Sequence, residues 1–199
     1  LPDTLERDRQ ELTLQIALGT PLQATKSATA PELGAAYHRA HDLCQRVGDS
    51  EQLFPVLMGL RLFYSVRGEL QIAYEFGEQL LQLAQRRQDP ALLLPAHYAM
   101  GIPLFWSGEF TRARLHWEQG LSLYDPQRYS TPVFLLAADP FVACLAYTAL
   151  VLWHLGYPDQ ALKRSREALA LAQELSRPYT RAFALSFTAQ LRQCRQEAH

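Results

Sequence analysis

The feature that most constrains this chain is a turn that comes back. Arg67-Gly68-Glu69-Leu70 recurs 40 residues later as Ser107-Gly108-Glu109-Phe110. The same offset pairs Pro55 with Pro95, Ala73 with Ala113, Glu78 with Glu118, Leu81 with Leu121 and Leu83 with Leu123. A third copy, Leu155-Gly156-Tyr157-Pro158, follows after 48 residues, with Ala161, Leu169 and Leu171 in the matching places. A unit of this length cannot bury its apolar face alone, so it must stack on its neighbours.

Within a unit the apolar residues follow a helical period. Leu70, Ala73, Gly77, Leu80, Leu81 and Ala84 form one stripe, and Ala161, Leu162, Ser165, Ala168, Leu169 and Ala172 repeat it. Gly68, Gly108 and Gly156 stand where a first helix ends and the chain needs a left-handed residue. Glu69 and Glu109 then open the second helix with a negative charge, and Pro158 does so with a fixed φ. Each unit is therefore a pair of antiparallel helices. About nine helices are expected, near 4–18, 32–47, 51–66, 69–87, 91–106, 109–124, 140–155, 158–175 and 178–195. Thr20 to Pro31 reads as a loop, and 125–139, with Pro126 and Pro132, as a non-repeat insertion. The expected fold is all-α, one solenoid domain over 1–199.

The glycines, each followed five residues later by Ala73, Ala113 or Ala161, resemble the glycine and small-residue positions of tetratricopeptide repeats. Leu60, Met100 and Thr148 fill a first-helix packing position, and Gly101 and Ala149 supply the small residue after it. Arg61 stands there in the first unit, and the spacing exceeds the usual ~34 residues. The resemblance spans nearly the whole chain and implies a scaffold that binds protein segments. Longer strings carry a narrower likeness: Leu14-Gln15-Ile16-Ala17-Leu18-Gly19, Tyr124-Asp125-Pro126-Gln127 and Leu155-Gly156-Tyr157-Pro158-Asp159-Gln160-Ala161-Leu162. They resemble the C-terminal repeats of large bacterial signalling proteins that carry a P-loop ATPase module and often a nucleotidyl cyclase or kinase domain. That likeness implies a sensory or regulatory partner-binding role; the start at Leu1 without a methionine reads as a piece cut from a longer polypeptide, and the unpaired pattern of cysteines as a cytoplasmic one.

Chemistry has little foothold here. The string contains no G-x-G-x-x-G, G-x-x-x-x-G-K, G-x-S-x-G, H-E-x-x-H or S-x-x-K, so neither an enzyme nor a cofactor is expected. A formal charge of -1 gives no field for nucleic acid, and no apolar run approaches the ~20 residues of a membrane span. Cys44, Cys144 and Cys194 are odd in number and far apart, as expected of reduced thiols in or near a core. His38, His41 and Cys44 recur three apart on one helix, but the stripe Ala36, Ala40, Leu43, Val47 leaves His38 in solvent, and no metal is expected.

The aromatic residues point further. In tetratricopeptide arrays the first helix of each pair lines a groove. Counting from the turn glycines places Met58 and Leu62, then Tyr98, Ile102, Phe105 and Trp106, then Leu150, Trp153 and His154 on that surface. So dense an apolar lining suits a hydrophobic or amphipathic peptide segment, from another protein or from the parent chain. A second class fits the same residues: a sensor holding a small apolar molecule between Tyr98, Trp106 and Trp153.

Overall fold

The computed structural model describes residues 4–48, 50–123 and 138–195; of the expected insertion at 125–139, all but Ala138 and Asp139 lies outside them. Among the described residues there is no strand. The elements are α1 (Leu5–Thr25), α2 (Pro31–Val47), α3 (Ser50–Val66), α4 (Leu70–Arg87), α5 (Pro90–Trp106), α6 (Phe110–Ser122), α7 (Pro140–His154), α8 (Pro158–Glu174) and α9 (Pro178–Cys194). They form two compact units, Leu1–Leu83 and Ala84–His199.

The turns explain why glycine marks the repeat. At Gly68, Gly108 and Gly156 φ is +78°, +79° and +84°, which costs a residue without a Cβ almost nothing. The next residue closes the helix end each time, as Glu69, Glu109 and Tyr157 donate N–H bonds of 3.0, 2.8 and 2.8 Å to Tyr64, Leu104 and Leu152 carbonyls. Paired with the glycine N–H bonds to Ser65, Phe105 and Trp153, this is the Schellman arrangement in three copies. The turns that lead to the next pair use the same conformation, but there it falls on Gly48, Gln88 (φ 50°) and Ser176 (φ 52°).

In the first unit α1 packs on α2, and α3 on both. Leu12, Ala40, Leu43, Cys44, Val56 and Leu60 form the core, with Tyr37, Tyr64 and Phe76 packed against it. Two ion pairs clamp α1 to α2. Arg39 holds Glu11 through bonds of 2.6 and 2.8 Å, and Arg46 meets the buried Asp8 at 2.9 Å. The loop expected from Thr20 is a correction, since α1 continues to Thr25 with Pro21 inside it. Gly19, inside this helix, is a contact point. A Cβ there would lie 2.4 Å from the Tyr37 hydroxyl, so only glycine lets α2 come this close. Past Pro21 the helix persists, with the Thr25 hydroxyl bonded to the Pro21 carbonyl at 2.7 Å.

In the second unit α7 is central, touching α5, α6, α8 and α9. That is why it is apolar on every side rather than along one stripe. Every residue from Val142 to Leu152 is buried. Asp139 anchors its start, accepting from the Phe141 and Val142 N–H groups at 3.0 and 3.3 Å and pairing with Arg177 at 3.5 Å. The Asp139 N–H in turn donates to the Thr180 hydroxyl at 3.1 Å, which ties α7 to α9.

Candidate binding surface

The aromatic residues of the second unit are built outward from Trp117. This α6 side chain is fully buried, and its indole N–H donates to the Tyr98 carbonyl at 3.2 Å. Room for it comes from Gly101 on α5, where a Cβ would lie 2.2 Å from the indole ring. Trp117 stacks on Tyr147 at 4.9 Å, and Tyr147 meets Phe187 at 4.5 Å. Phe105, also buried, links this column to the surface through ring contacts with Trp117, Tyr147, Phe110, His154 and Trp106.

At the end of α5 the column reaches solvent. Trp106 is 60% exposed and stands edge-on to Phe105 at 5.2 Å. Beside it Phe110 and His154 stack at 4.6 Å with their planes 4° apart. Tyr157 is also exposed, with the Arg114 guanidinium 5.6 Å above its ring. These groups sit at the two glycine turns, whose hydrogen-bonded backbone fixes Phe110 and Tyr157. The outcome is a rigid aromatic base with an exposed indole on it.

The residues expected on the open face divide in two. Met58, Ile102, Phe105 and Leu150 are buried, with their apolar surface already covered by the protein. Leu62, Tyr98 and Trp153 are half-buried, and Trp106 and His154 are exposed. Met58 and Leu62 belong to the first unit and the rest to the second. Trp106 and His154 are brought together through Phe105, while Tyr98 packs at 6.2 Å on Tyr147. The expectation missed Phe110, Tyr157 and Arg114. Its own repeat register held the signal for the first two, because Tyr157 follows Gly156 directly and Phe110 stands two residues after Gly108.

Other polar groups take structural places. Glu69 pairs with Arg67 at 2.6 Å, Glu109 with Arg112, and Glu118 with Arg114 at 2.8 Å. His38 bonds the Tyr64 hydroxyl at 2.7 Å, His41 packs on Phe76, and Cys44 is buried. Among the described residues no group of three or more His, Cys, Asp or Glu is placed to hold a metal. Cys144 is buried too, which pushes its thiol pKa up, whereas Cys194 is exposed.

One pair stands apart. His97 on α5 and His116 on α6 face each other with their Nδ1 atoms 3.3 Å apart. Such a contact needs one neutral ring to donate and the other to accept. Burial, and then the neighbouring His116, push His97 down to about 4. Burial and then Arg112 also lower His116.

These pairs and turns define an all-α helical-repeat protein, a tetratricopeptide-like solenoid of antiparallel helix pairs. No protein-family model and no curated sequence matches the chain. Solved structures do. NprR in complex with its cognate peptide NprX superposes with a TM-score of 0.74 at 14% identity, over 94% of this chain and 51% of that one. BtubC (BKLC) from P. vanneervenii superposes with a TM-score of 0.58 at 15% identity, over 98% of this chain and 85% of that one. At such identities the likeness is one of fold, and the chain spans about half the length of the NprR chain. No helix among the described residues is long and apolar enough to cross a membrane.

Proposed function

We propose that this protein is a non-catalytic interaction module that captures a hydrophobic or amphipathic peptide segment on the aromatic surface around Trp106. The observation that carries this reading is the exposure of Trp106 on a base of buried rings. An indole held rigid by Phe105 loses little freedom on binding and offers a large apolar face. His154, which shares Phe105 with it, adds a polar tip, so an occupant can pair a backbone or side-chain group while burying apolar ones. NprR has been solved with a peptide bound, and the shared fold supports the same class of guest here.

In the fuller form of the proposal the module is the sensory or regulatory arm of a larger bacterial signalling protein of the ATPase and cyclase or kinase type. Cys44, Cys144 and Cys194, present as thiols rather than disulfides, suit a cytoplasmic setting. The test is to select peptides from a random display library against the folded protein and to titrate the winners by calorimetry. Binding that saturates and requires Trp106 supports the reading. A library that yields nothing, together with a metabolite that saturates the protein at micromolar level, supports a small-molecule sensor instead.

A further inference from the structure

The second unit also holds a cavity of about 740 Å³ that none of the residues named above as binding candidates lines. Its floor is Leu121 of α6, Phe141 and Leu145 of α7 and Leu171 of α8; its lip carries Glu118, Glu167, Glu174 and Arg164. A volume of this size lies within the ~300–1,000 Å³ of sites that enclose a guest. The floor is continuous with the packed cluster of Val142, Leu145, Ala146, Ala168 and Ala172, so it is held in shape from beneath.

The charge at the lip is negative on balance, and helix geometry adds to it. Of its three carboxylates Glu118 is bonded to Arg114 and Glu167 to Arg164, each at 2.8 Å, so Glu174 leaves the lip with one negative charge in excess. The cavity opens where the last turns of α6 and α8 meet the first turns of α7. A helix C-terminus carries roughly half a negative charge, which a Lys or Arg in the last turn usually offsets. Neither α6 nor α8 has a basic residue in its last turn. The opposing positive end of α7 is already answered by the Asp139 carboxylate. Both helix ends and the acidic side chains therefore leave a negative rim around an apolar floor.

We infer that this cavity is a second docking surface, which takes a basic amphipathic peptide segment. One or two bulky apolar side chains of the guest seat on Leu121, Leu145 and Leu171. Flanking lysines or arginines meet Glu118, Glu167, Glu174 and the last carbonyls of α6 and α8. The surface is independent of Trp106 and does not need the reading given above. A hydrophobic guest without positive charge gains nothing from the rim, and an acidic one is repelled by it.

The experiment uses the whole chain and two short fluorescein-labelled amphipathic peptides, one of leucine and lysine, the other of leucine and glutamate. Fluorescence polarisation is read at low and at physiological salt, with circular dichroism confirming each variant as folded. The leucine–lysine peptide is expected to bind saturably and about tenfold or more tightly than its acidic counterpart, with the difference shrinking as salt rises. Ala170→Trp, which fills the cavity from an exposed position, and Glu174→Arg are each expected to weaken it by about tenfold, and Trp106→Ala to leave it unchanged. Three results overturn the inference: no saturable binding, equal binding of the acidic peptide, or binding indifferent to both cavity variants. Loss on Trp106→Ala alone also overturns it, and assigns the peptide to the aromatic surface.

Discussion

Trp106 and Trp117 sit on consecutive helices, share Phe105 as a neighbour, and do opposite things. Trp117 is wholly enclosed, stacked on Tyr147 and bonded through its indole nitrogen, with Gly101 cut away to admit it. Trp106 is 60% exposed at the end of α5 and touches the column through Phe105. Between them they separate two uses of an aromatic side chain. One fills a seam between helices and fixes their spacing. The other is a face made rigid by that seam and left uncovered. A binding reading attaches to the second alone, and only because the first keeps it in place.

The contrast breaks most visibly under truncation of the inner residue. Trp117→Ala removes a fully buried indole and its hydrogen bond and leaves a hole beside Gly101. The expected loss is about 3–5 kcal/mol in a urea or thermal melt. A loss under about 1 kcal/mol would mean that the column collapses freely and is not the support described here.

Acid is the next largest perturbation, and it acts on the seam between α5 and α6. The folded protein holds His97 and His116 neutral, His97 at about 4 against about 6.5 in an unfolded chain. Between those values the unfolded state binds more protons, so stability is fully present above pH ~6.5 and falls as the pH drops toward ~4. A decrease of roughly 2–3 kcal/mol over that window is expected from chemical denaturation at a series of pH values. It should be smaller in His116→Gln, where only one imidazole remains to be charged.

Gly108→Val tests the turn that fixes Phe110. A β-branched residue at φ +79° is strained, and the cost should exceed the ~1 kcal/mol of helix propensity alone. Nothing lies within 4 Å of a Cβ there, so strain rather than collision would be measured. The smallest effect on stability belongs to the outer tryptophan, where Trp106→Ala should shift the melt by less than about 0.5 kcal/mol, as at an ordinary surface site.

How much of this was legible depended on what the repeat could carry. The turn glycines fixed both the pairing of helices and most of their ends, since a left-handed residue there leaves little choice. Gln88 and Ser176 take the same conformation at the turns between pairs, yet neither residue type announces it. α1 runs through the loop expected from Thr20, and the approach of Tyr37 that requires Gly19 is a tertiary fact. The open face was harder still. α5 and α7 are apolar all round, so their periodicity cannot say which residues a neighbouring helix covers, and Ile102, Phe105 and Leu150 went inside. Trp106 stayed legible because it closes its helix, one residue before the turn.

The central claim is that the outer tryptophan is a contact surface and the inner one is not. The most direct measurement is the affinity of a library-selected peptide for the parent protein and for Trp106→Ala, with the melting temperature of both recorded. Losing an aromatic anchor typically costs about 2 kcal/mol, so a roughly thirtyfold weaker complex with an unchanged melt is expected. An unchanged affinity in a folded variant, or a variant that unfolds, would contradict it.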